Sequence, residues 1–160
     1  MCMTLEEQLV NKLTEKGWHI ACAESCTGGL IASRIVNVAN ASKVLNVSFV
    51  TYANEAKMKY LGVSQDTILQ YGVVSEPVVA EMAAGVAKES GSEVGISVSG
   101  IAGPSGGTEK KPVGMVCFGF YINGELTTKT CQFGNPGRNE VRALSTEYAL
   151  QTALELLCNN

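Results

Sequence analysis

Histidine is the scarcest functional residue type in this chain of 160 residues, with His19 as its only copy. A Ser-His-Asp triad needs an imidazole beside the nucleophile. His19, however, begins an apolar segment, and nothing directs its side chain to a polar loop. With one histidine and no pair of cysteines separated by two residues, a zinc site of the usual spacing is not expected. Any general base must therefore be another side chain.

An excess of basic residues is also missing. Lys and Arg total 12 against 15 Asp and Glu, and the net charge is -3. Binding to a phosphate backbone requires a concentrated basic surface, so we expect no nucleic-acid partner. No apolar stretch approaches the roughly 20 residues that cross a bilayer, so we expect no membrane association either.

The six cysteines are predicted to be reduced thiols rather than disulfides: Cys2, Cys22, Cys26, Cys117, Cys131 and Cys158. We expect no signal peptide before them, because residues 4–7 have the pattern of an acidic helix start. Three of the six lie in apolar segments, where a free thiol behaves as a small hydrophobic group. We therefore expect a cytoplasmic location.

The chain does contain regular alternation of strand and helix patterns. Strands are predicted over residues 18–23, 47–52, 94–99, 113–122 and 125–133. Helices are predicted between Thr4 and Gly17, over 30–38, over 54–61, from Ser64 to Gly72, between Ser75 and Gly91, and over 139–157.

This alternation favours right-handed βαβ units and a parallel sheet. Asn123-Gly124 between the last two strands predicts an antiparallel hairpin. No repeat and no long linker divides the chain. We therefore expect one α/β domain over residues 1–160, with a mixed, mostly parallel sheet.

Three small polar loops follow predicted strands, at residues 24–29, 52–57 and 99–107. In open α/β sheets the ligand crevice lies beyond the carboxyl ends of parallel strands. Ser25, at a strand-to-helix turn, could be a nucleophile, but Ser25 or Thr27 as a simple helix cap is the commoner arrangement. Lys57 could serve as its base if burial lowers its pKa. On the residues alone, an exposed lysine paired with Glu55 or Glu24 is favoured.

Glycines dominate the third loop and give a weak phosphate-binding signal. Gly100, Gly103, Gly106 and Gly107 could bring backbone N–H groups to a phosphate, although no Walker A pattern is present. Arg138 and Arg142 could add positive charge to such a site. The alternative is a solvated helix start with surface ion pairs.

Four blocks of sequence together resemble one known family. They are Ala23-Glu24-Ser25-Cys26-Thr27-Gly28-Gly29, Tyr52-Ala53-Asn54-Glu55-Ala56-Lys57, Gly72-Val73-Val74-Ser75-Glu76, and Ser99-Gly100-Ile101-Ala102-Gly103-Pro104-Ser105-Gly106-Gly107, followed by Lys111-Pro112-Val113-Gly114. In this order they resemble the CinA carboxy-terminal domain family, the nicotinamide-mononucleotide deamidases (PncC). The resemblance covers nearly the whole chain.

The resemblance implies a Ser/Lys amidohydrolase without metal or redox cofactor, in which Ser25 is the nucleophile and Lys57 the base. It also implies a three-layer α/β/α sandwich that forms a homodimer or higher homo-oligomer and takes a small-molecule nucleotide as substrate. Many members carry a further amino-terminal domain; with the signature about twenty residues in, the stand-alone form is expected here.

The mechanistic hypothesis assigns further roles. Thr27, Gly28 and Gly29 are expected around the oxyanion, with Tyr52 and Asn54 as substrate-binding residues. The four loop glycines and Arg138 are expected at the 5′-phosphate. Two departures occur: Ser99 replaces the more frequent Thr, and Gly134-Asn135-Pro136-Gly137-Arg138 replaces a compact Gly-Asp-Arg.

Three alternatives remain open. Cys26 is a chemical rival to Ser25, because thiols are the better intrinsic nucleophiles. The domain could hydrolyse another carboxamide with the same pair of residues. It could also be a non-catalytic interaction module associated with competence.

Overall fold

The computed structural model describes residues 1–160 as a five-stranded sheet with helices on both faces. The strands are β1 Ile20–Glu24, β2 Leu45–Val50, β3 Val94–Gly100, β4 Met115–Ile122 and β5 Glu125–Gln132. The helices are α1 Leu5–Lys16, α2 Leu30–Val36, α3 Asn54–Leu61, α4 Gln65–Tyr71, α5 Glu76–Ser90 and α6 Arg138–Cys158, with a short 3-10 turn at Ala41–Lys43. The predicted α/β class is confirmed.

The sheet is mixed, as predicted, with strand order β2-β1-β3-β4-β5. β1 pairs in parallel with β2 and β3, whereas β4 pairs antiparallel with β3 and β5. Four strands therefore run in one direction and β4 alone runs against them. The predicted hairpin forms at Asn123 and Gly124, both with positive φ, as a two-residue turn matched to the strand twist requires.

Alternation along the strands builds two cores, one on each face. Ile20 and Cys22 of β1 face the larger core, with α1, α2 and α6. Ala21 and Ala23 face the smaller core, with α3 and α5. The resulting three layers, α/β/α, confirm the expected sandwich.

Strand and helix ends differ from the predictions by up to two residues, and the reasons are local hydrogen bonds. The first strand begins at Ile20 rather than residue 18, because Trp18 donates its N–H to Leu13 O and so completes the C-terminal cap of α1 around Gly17. The second strand ends at Val50, so Thr51 and Tyr52 belong to the connection that leads into α3. This shift matters because that connection forms part of the candidate site.

Candidate active site

Ser25 and Lys57 meet at the carboxyl end of β1. Ser25 is the first residue after the strand, and Lys57 lies in the first half of α3. Lys57 Nζ is 3.3 Å from Ser25 Oγ and donates a hydrogen bond of 2.6 Å to Thr51 O. The amine is thus anchored by a backbone carbonyl while it faces the hydroxyl, which is the geometry of a nucleophile and its base.

The environment of Lys57 favours the neutral amine. The residue is 1% exposed, and burial lowers the pKa of its ammonium group. Its ammonium group makes no ion pair, and Glu55 is exposed. The alternative in which Lys57 is an exposed lysine paired with Glu55 or Glu24 is therefore wrong.

Glu24 holds the loop that carries Ser25. Its carboxylate is fully buried and accepts hydrogen bonds from Thr27 Oγ1 at 2.6 Å and from the N–H groups of Gly29, Ile31 and Ala32 at 3.0–3.1 Å. The three N–H groups lie at the beginning of α2, where they have no partner within the helix and where a negative charge is favourable. Sequence reasoning missed this role, although an acidic residue just before a glycine-rich helix start is a visible signal.

The expected oxyanion donors need a correction. Gly29 donates its N–H to Glu24, and Gly28 donates its N–H to Ser25 O at 3.0 Å. Both donors are therefore occupied in this conformation. The N–H groups of Cys26 and Thr27 donate to no backbone carbonyl, so they are the donors beside Ser25 that a ligand could use.

Arg142, in α6, donates hydrogen bonds to the loop that carries Ser25. Its Nε donates to Cys26 O at 2.9 Å and a terminal nitrogen donates to Thr27 O at 3.2 Å. The side chain lies so close that a Cβ at Gly28 would be 3.3 Å from it. Arg142 is thus neither a solvated surface residue nor a free anion ligand, because two of its donor groups hold the loop that carries Ser25.

Cys26 is poorly suited to act as the nucleophile. The residue is 6% exposed, and burial raises the pKa of its thiol to about 11. The thiolate is the reactive form, and near neutral pH this thiol is protonated. The structure therefore favours the neighbouring hydroxyl.

Ser25 and the glycine-rich loop follow neighbouring strands at the same edge of the sheet, and the space between them is called the cleft. Ala23 of β1 lies opposite Ser97 of β3 in parallel register, so both strands deliver their loops to one edge of the sheet, about 5 Å apart. Arg138 connects the two sides, since it donates to Gly103 O at 2.7 Å and to the Tyr52 hydroxyl at 2.8 Å. The expected substrate-binding Tyr52 therefore borders the cleft, whereas Asn54 is exposed at the beginning of α3.

A cavity of about 400 Å³ lies at the glycine-rich loop and Arg138, and neither Ser25 nor Lys57 is part of its lining. Its lining includes the expected phosphate-binding residues Gly100, Gly103, Gly106 and Arg138. Gly107 is not part of the lining. Lys111 and Thr108 are, although neither was assigned a role from the sequence.

The remaining candidate residues, His19 and the cysteines, form no second site at this edge of the sheet. His19 precedes β1 at the opposite end of that strand and lies 3.7 Å from Glu93. No three His, Cys, Asp or Glu side chains are close enough to hold a metal ion. All six cysteines are free thiols. Among the helices, none combines the length and apolar composition of a membrane span.

A family model described as the CinA C-terminal domain matches residues 3–157. The chain belongs to the CinA C-terminal domain family. It is 51% identical over 149 residues to a protein of Enterobacter agglomerans named nicotinamide-nucleotide amidohydrolase PncC, covering 92% of this chain and 90% of that protein. It is 50% identical over 147 residues to a CinA-like protein of Kosmotoga olearia, covering 92% of this chain and 35% of that protein.

Other relatives share the family but are longer or carry different names. The chain is 49% identical over 148 residues to a putative competence-damage inducible protein of Alkaliphilus oremlandii, covering 92% of this chain and 36% of that protein. The chain thus spans about a third of the length of several curated relatives it matches. Among solved structures, the competence/damage inducible protein CihA of Agrobacterium tumefaciens superimposes with a TM-score of 0.91 at 36% identity, covering 98% of this chain and 99% of that one.

Both departures from the family pattern can be located in the structure. Ser99 is buried in β3, where it retains the hydroxyl of the more frequent threonine. The longer segment before Arg138 ends at Gly137, with φ of 117°, and α6 begins immediately afterwards. Arg138 still reaches the cleft, so the longer segment does not remove the arginine from this edge of the sheet.

Proposed function

We propose that this chain is an amidohydrolase that converts nicotinamide mononucleotide into nicotinic acid mononucleotide and ammonia. The observation that carries the proposal is the 3.3 Å approach of a buried lysine amine to the Ser25 hydroxyl. The 51% identity to a relative named nicotinamide-nucleotide amidohydrolase supports the choice of substrate. In the proposal Ser25 is the nucleophile and Lys57 the general base.

In the first half of the reaction, neutral Lys57 takes the proton of the Ser25 hydroxyl. Oγ attacks the carboxamide carbon, and the carbonyl oxygen becomes an oxyanion. The N–H groups of Cys26 and Thr27 are the donors we assign to that oxyanion, and such a donor is worth about 3 kcal/mol in the transition state. The Lys57 ammonium then gives its proton to the leaving nitrogen, which departs as ammonia.

In the second half, water attacks the nicotinoyl ester on Ser25. Lys57 removes a proton from that water and returns it to Ser25 Oγ as the ester bond breaks. Nicotinic acid mononucleotide leaves and the serine is regenerated. The positive charge of the pyridinium ring makes the carbonyl carbon more electrophilic in both halves.

The remainder of the nucleotide is assigned to the cleft. Tyr52 borders it through its hydrogen bond with Arg138. Among the loop glycines that line the cavity, Gly106 is the one with open space beside its backbone, since a Cβ there would meet nothing closer than 3.8 Å. The 5′-phosphate is placed at these glycines and Arg138, which brings the carboxamide toward Ser25.

The first test compares ammonia release from nicotinamide mononucleotide by the wild type, Ser25→Ala and Cys26→Ala. We expect Ser25→Ala to lower kcat by about 10⁴-fold or more, as the loss of a nucleophile does in other hydrolases. Cys26→Ala, a matched change at the next residue, should stay within a few-fold of the wild type.

Two results would contradict the proposal. Activity retained by Ser25→Ala, or lost in a folded Cys26→Ala protein, would remove Ser25 as the nucleophile. A wild-type protein that releases no ammonia would remove nicotinamide mononucleotide as the substrate, and other carboxamides would then be tested with the same variants.

A further inference from the structure

The cavity at the glycine-rich loop has two positive side chains and no carboxylate in its lining. Lys111 and Arg138 are the charged residues of its lining, and the rest is glycine, small hydroxyl and apolar residues. The whole chain has a net charge of -3, so a lining with two positive and no negative side chains differs in charge from the rest of the protein. A lining of cations, hydroxyls and backbone fits an anion rather than a neutral ligand.

Hydrogen bonds hold Lys111 in the lining of the cavity. Its backbone N–H donates to Thr108 Oγ1 at 3.0 Å, and its carbonyl accepts the N–H of Thr108 at 2.8 Å. Its Nζ donates to Tyr71 O at the end of α4. A Cβ on Gly72 would lie only 2.8 Å from Nζ. The absence of a side chain at Gly72 therefore leaves space for the Lys111 ammonium group. An ammonium has three donors, and two remain for a ligand.

Arg138 is held at the same cavity by two other groups, Gly103 O and the Tyr52 hydroxyl. A guanidinium has five N–H donors, so these contacts leave donors that a ligand can use. Both cations are therefore positioned by backbone carbonyls before any ligand binds. A phosphate monoester carries a charge of about -1.5 to -2 near pH 7, and two cations match it better than one.

We propose that Lys111 is the second cation of a phosphate subsite and, with Arg138, makes the site select nucleotides over nucleosides. The inference rests on the proposed function for the identity of the substrate, and it adds Lys111 as a specificity-determining residue. The 5′-phosphate lies between the two cations, and the carboxamide end of the molecule points to Ser25.

The test measures kcat and KM of the wild type, Lys111→Met and Lys110→Met on two substrates. Nicotinamide mononucleotide carries the phosphate, and nicotinamide riboside has the same carboxamide without it. We expect Lys111→Met to raise KM for the nucleotide about 10- to 100-fold, the range of a charged hydrogen bond. Its kcat and its kcat/KM for the riboside should remain near the wild-type values.

Lys110 supplies the matched control, because it is the adjacent lysine, is exposed, and does not line the cavity. Lys110→Met should leave both substrates unaffected, and Lys111→Arg should recover most of the nucleotide affinity. Equal losses on both substrates in Lys111→Met would mean that Lys111 only holds the loop, and no loss on either would mean that it touches no phosphate. Either result overturns the inference.

A binding experiment separates this inference from the proposed reaction. Calorimetry with ribose 5-phosphate measures the anion site without any hydrolysis. If the wild type releases no ammonia but binds ribose 5-phosphate, and Lys111→Met alone weakens that binding about 10-fold or more, the subsite stands and the reaction is wrong. If ribose 5-phosphate fails to bind, or binds equally to Lys111→Met, the subsite is wrong.

Discussion

Lys57 shows how one side chain changes its chemistry through burial. A lysine on water-exposed helix surface is an ammonium at neutral pH, whereas this one is enclosed and hydrogen-bonded to Thr51 O. Desolvation destabilises the charged form and lowers the pKa of Lys57. The neighbouring Cys26 would oppose this only as a thiolate, and burial raises the pKa of that thiol to about 11, so it is uncharged near neutrality. The neutral amine needed by a general base is thereby favoured.

The pH dependence of hydrolysis follows from this burial. The base acts when it is unprotonated, so kcat/KM should fall as the pH drops through the pKa of Lys57. Because burial lowers that pKa, the midpoint should lie below the roughly 10.4 of a free lysine. A pH profile of ammonia release from nicotinamide mononucleotide measures it.

Two lysine variants complete this measurement. Lys57→Arg, which stays charged, should lower activity by about 10³-fold or more and remove this acidic limb. Lys59→Arg, at an exposed lysine of the same helix, should leave the profile unchanged. A Lys57→Arg profile with the wild-type limb would exclude Lys57 as the base.

At the scale of elements, α5 approaches the sheet unusually closely. A Cβ at Gly119 of β4 would lie 2.2 Å from Val79 O and 2.4 Å from Ser97 Oγ. The Ser97 hydroxyl in turn donates a hydrogen bond to Val79 O. A Cβ at Gly95 of β3 would lie 2.4 Å from Ala83 O. The absence of side chains at these strand positions sets the distance between helix and sheet.

Gly119→Ala should therefore destabilise the fold, because backbone rather than a flexible side chain must move. We expect the free energy of unfolding to fall by about 1–3 kcal/mol, as in overpacked cores, measured by urea denaturation. Lys129→Ala is the control, because Lys129 is an exposed residue of β5 and a surface substitution should change the free energy of unfolding by about 0.5 kcal/mol or less. Equal stability of Gly119→Ala and wild type would mean that α5 can shift without cost.

At the scale of the whole molecule, α6 completes the site from the far end of the chain. Arg138 and Arg142, one helical turn apart, contact Tyr52 and the loop that carries Ser25 respectively. Arg142 lies 116 residues from Cys26, whose carbonyl it binds. The helix packs against α1 and α2 in the larger core. This packing places the two arginine side chains at the edge of the sheet where Ser25 lies.

Arg142→Met should lower kcat about 10-fold or more, because the loop carrying Ser25 loses two anchors. Its free energy of unfolding should fall by about 1–3 kcal/mol. Arg34→Met is the matched control, since Arg34 pairs with Glu6 and Glu147 away from the cleft. That variant should lose about 1 kcal/mol or less and keep its kcat. Equal kcat values in both variants would show that Arg142 does not position the loop.

Local signals explain which parts of the fold could be predicted. The capping box of Thr4 and Glu7 and the left-handed Gly17 delimit α1 as the sequence indicates. Ser75 caps α5, and Asn123-Gly124 turns the hairpin. Each of these features depends on residues within a few positions of one another, so the sequence contains the complete interaction.

The site was predictable only in its residue types. The sequence alone determined that a hydroxyl, a lysine, a glycine-rich loop and two arginines occur beside strand ends, and the family motifs singled out Ser25 and Lys57. The tertiary structure decided that Lys57 is buried, that Glu24 occupies the beginning of α2, and that Arg142 holds the loop. It also decided that Gly28 and Gly29 have no free N–H groups. Burial and hydrogen bonding at these positions depend on partners brought together by packing, and those distances exist only once the sheet and its two helical layers have formed.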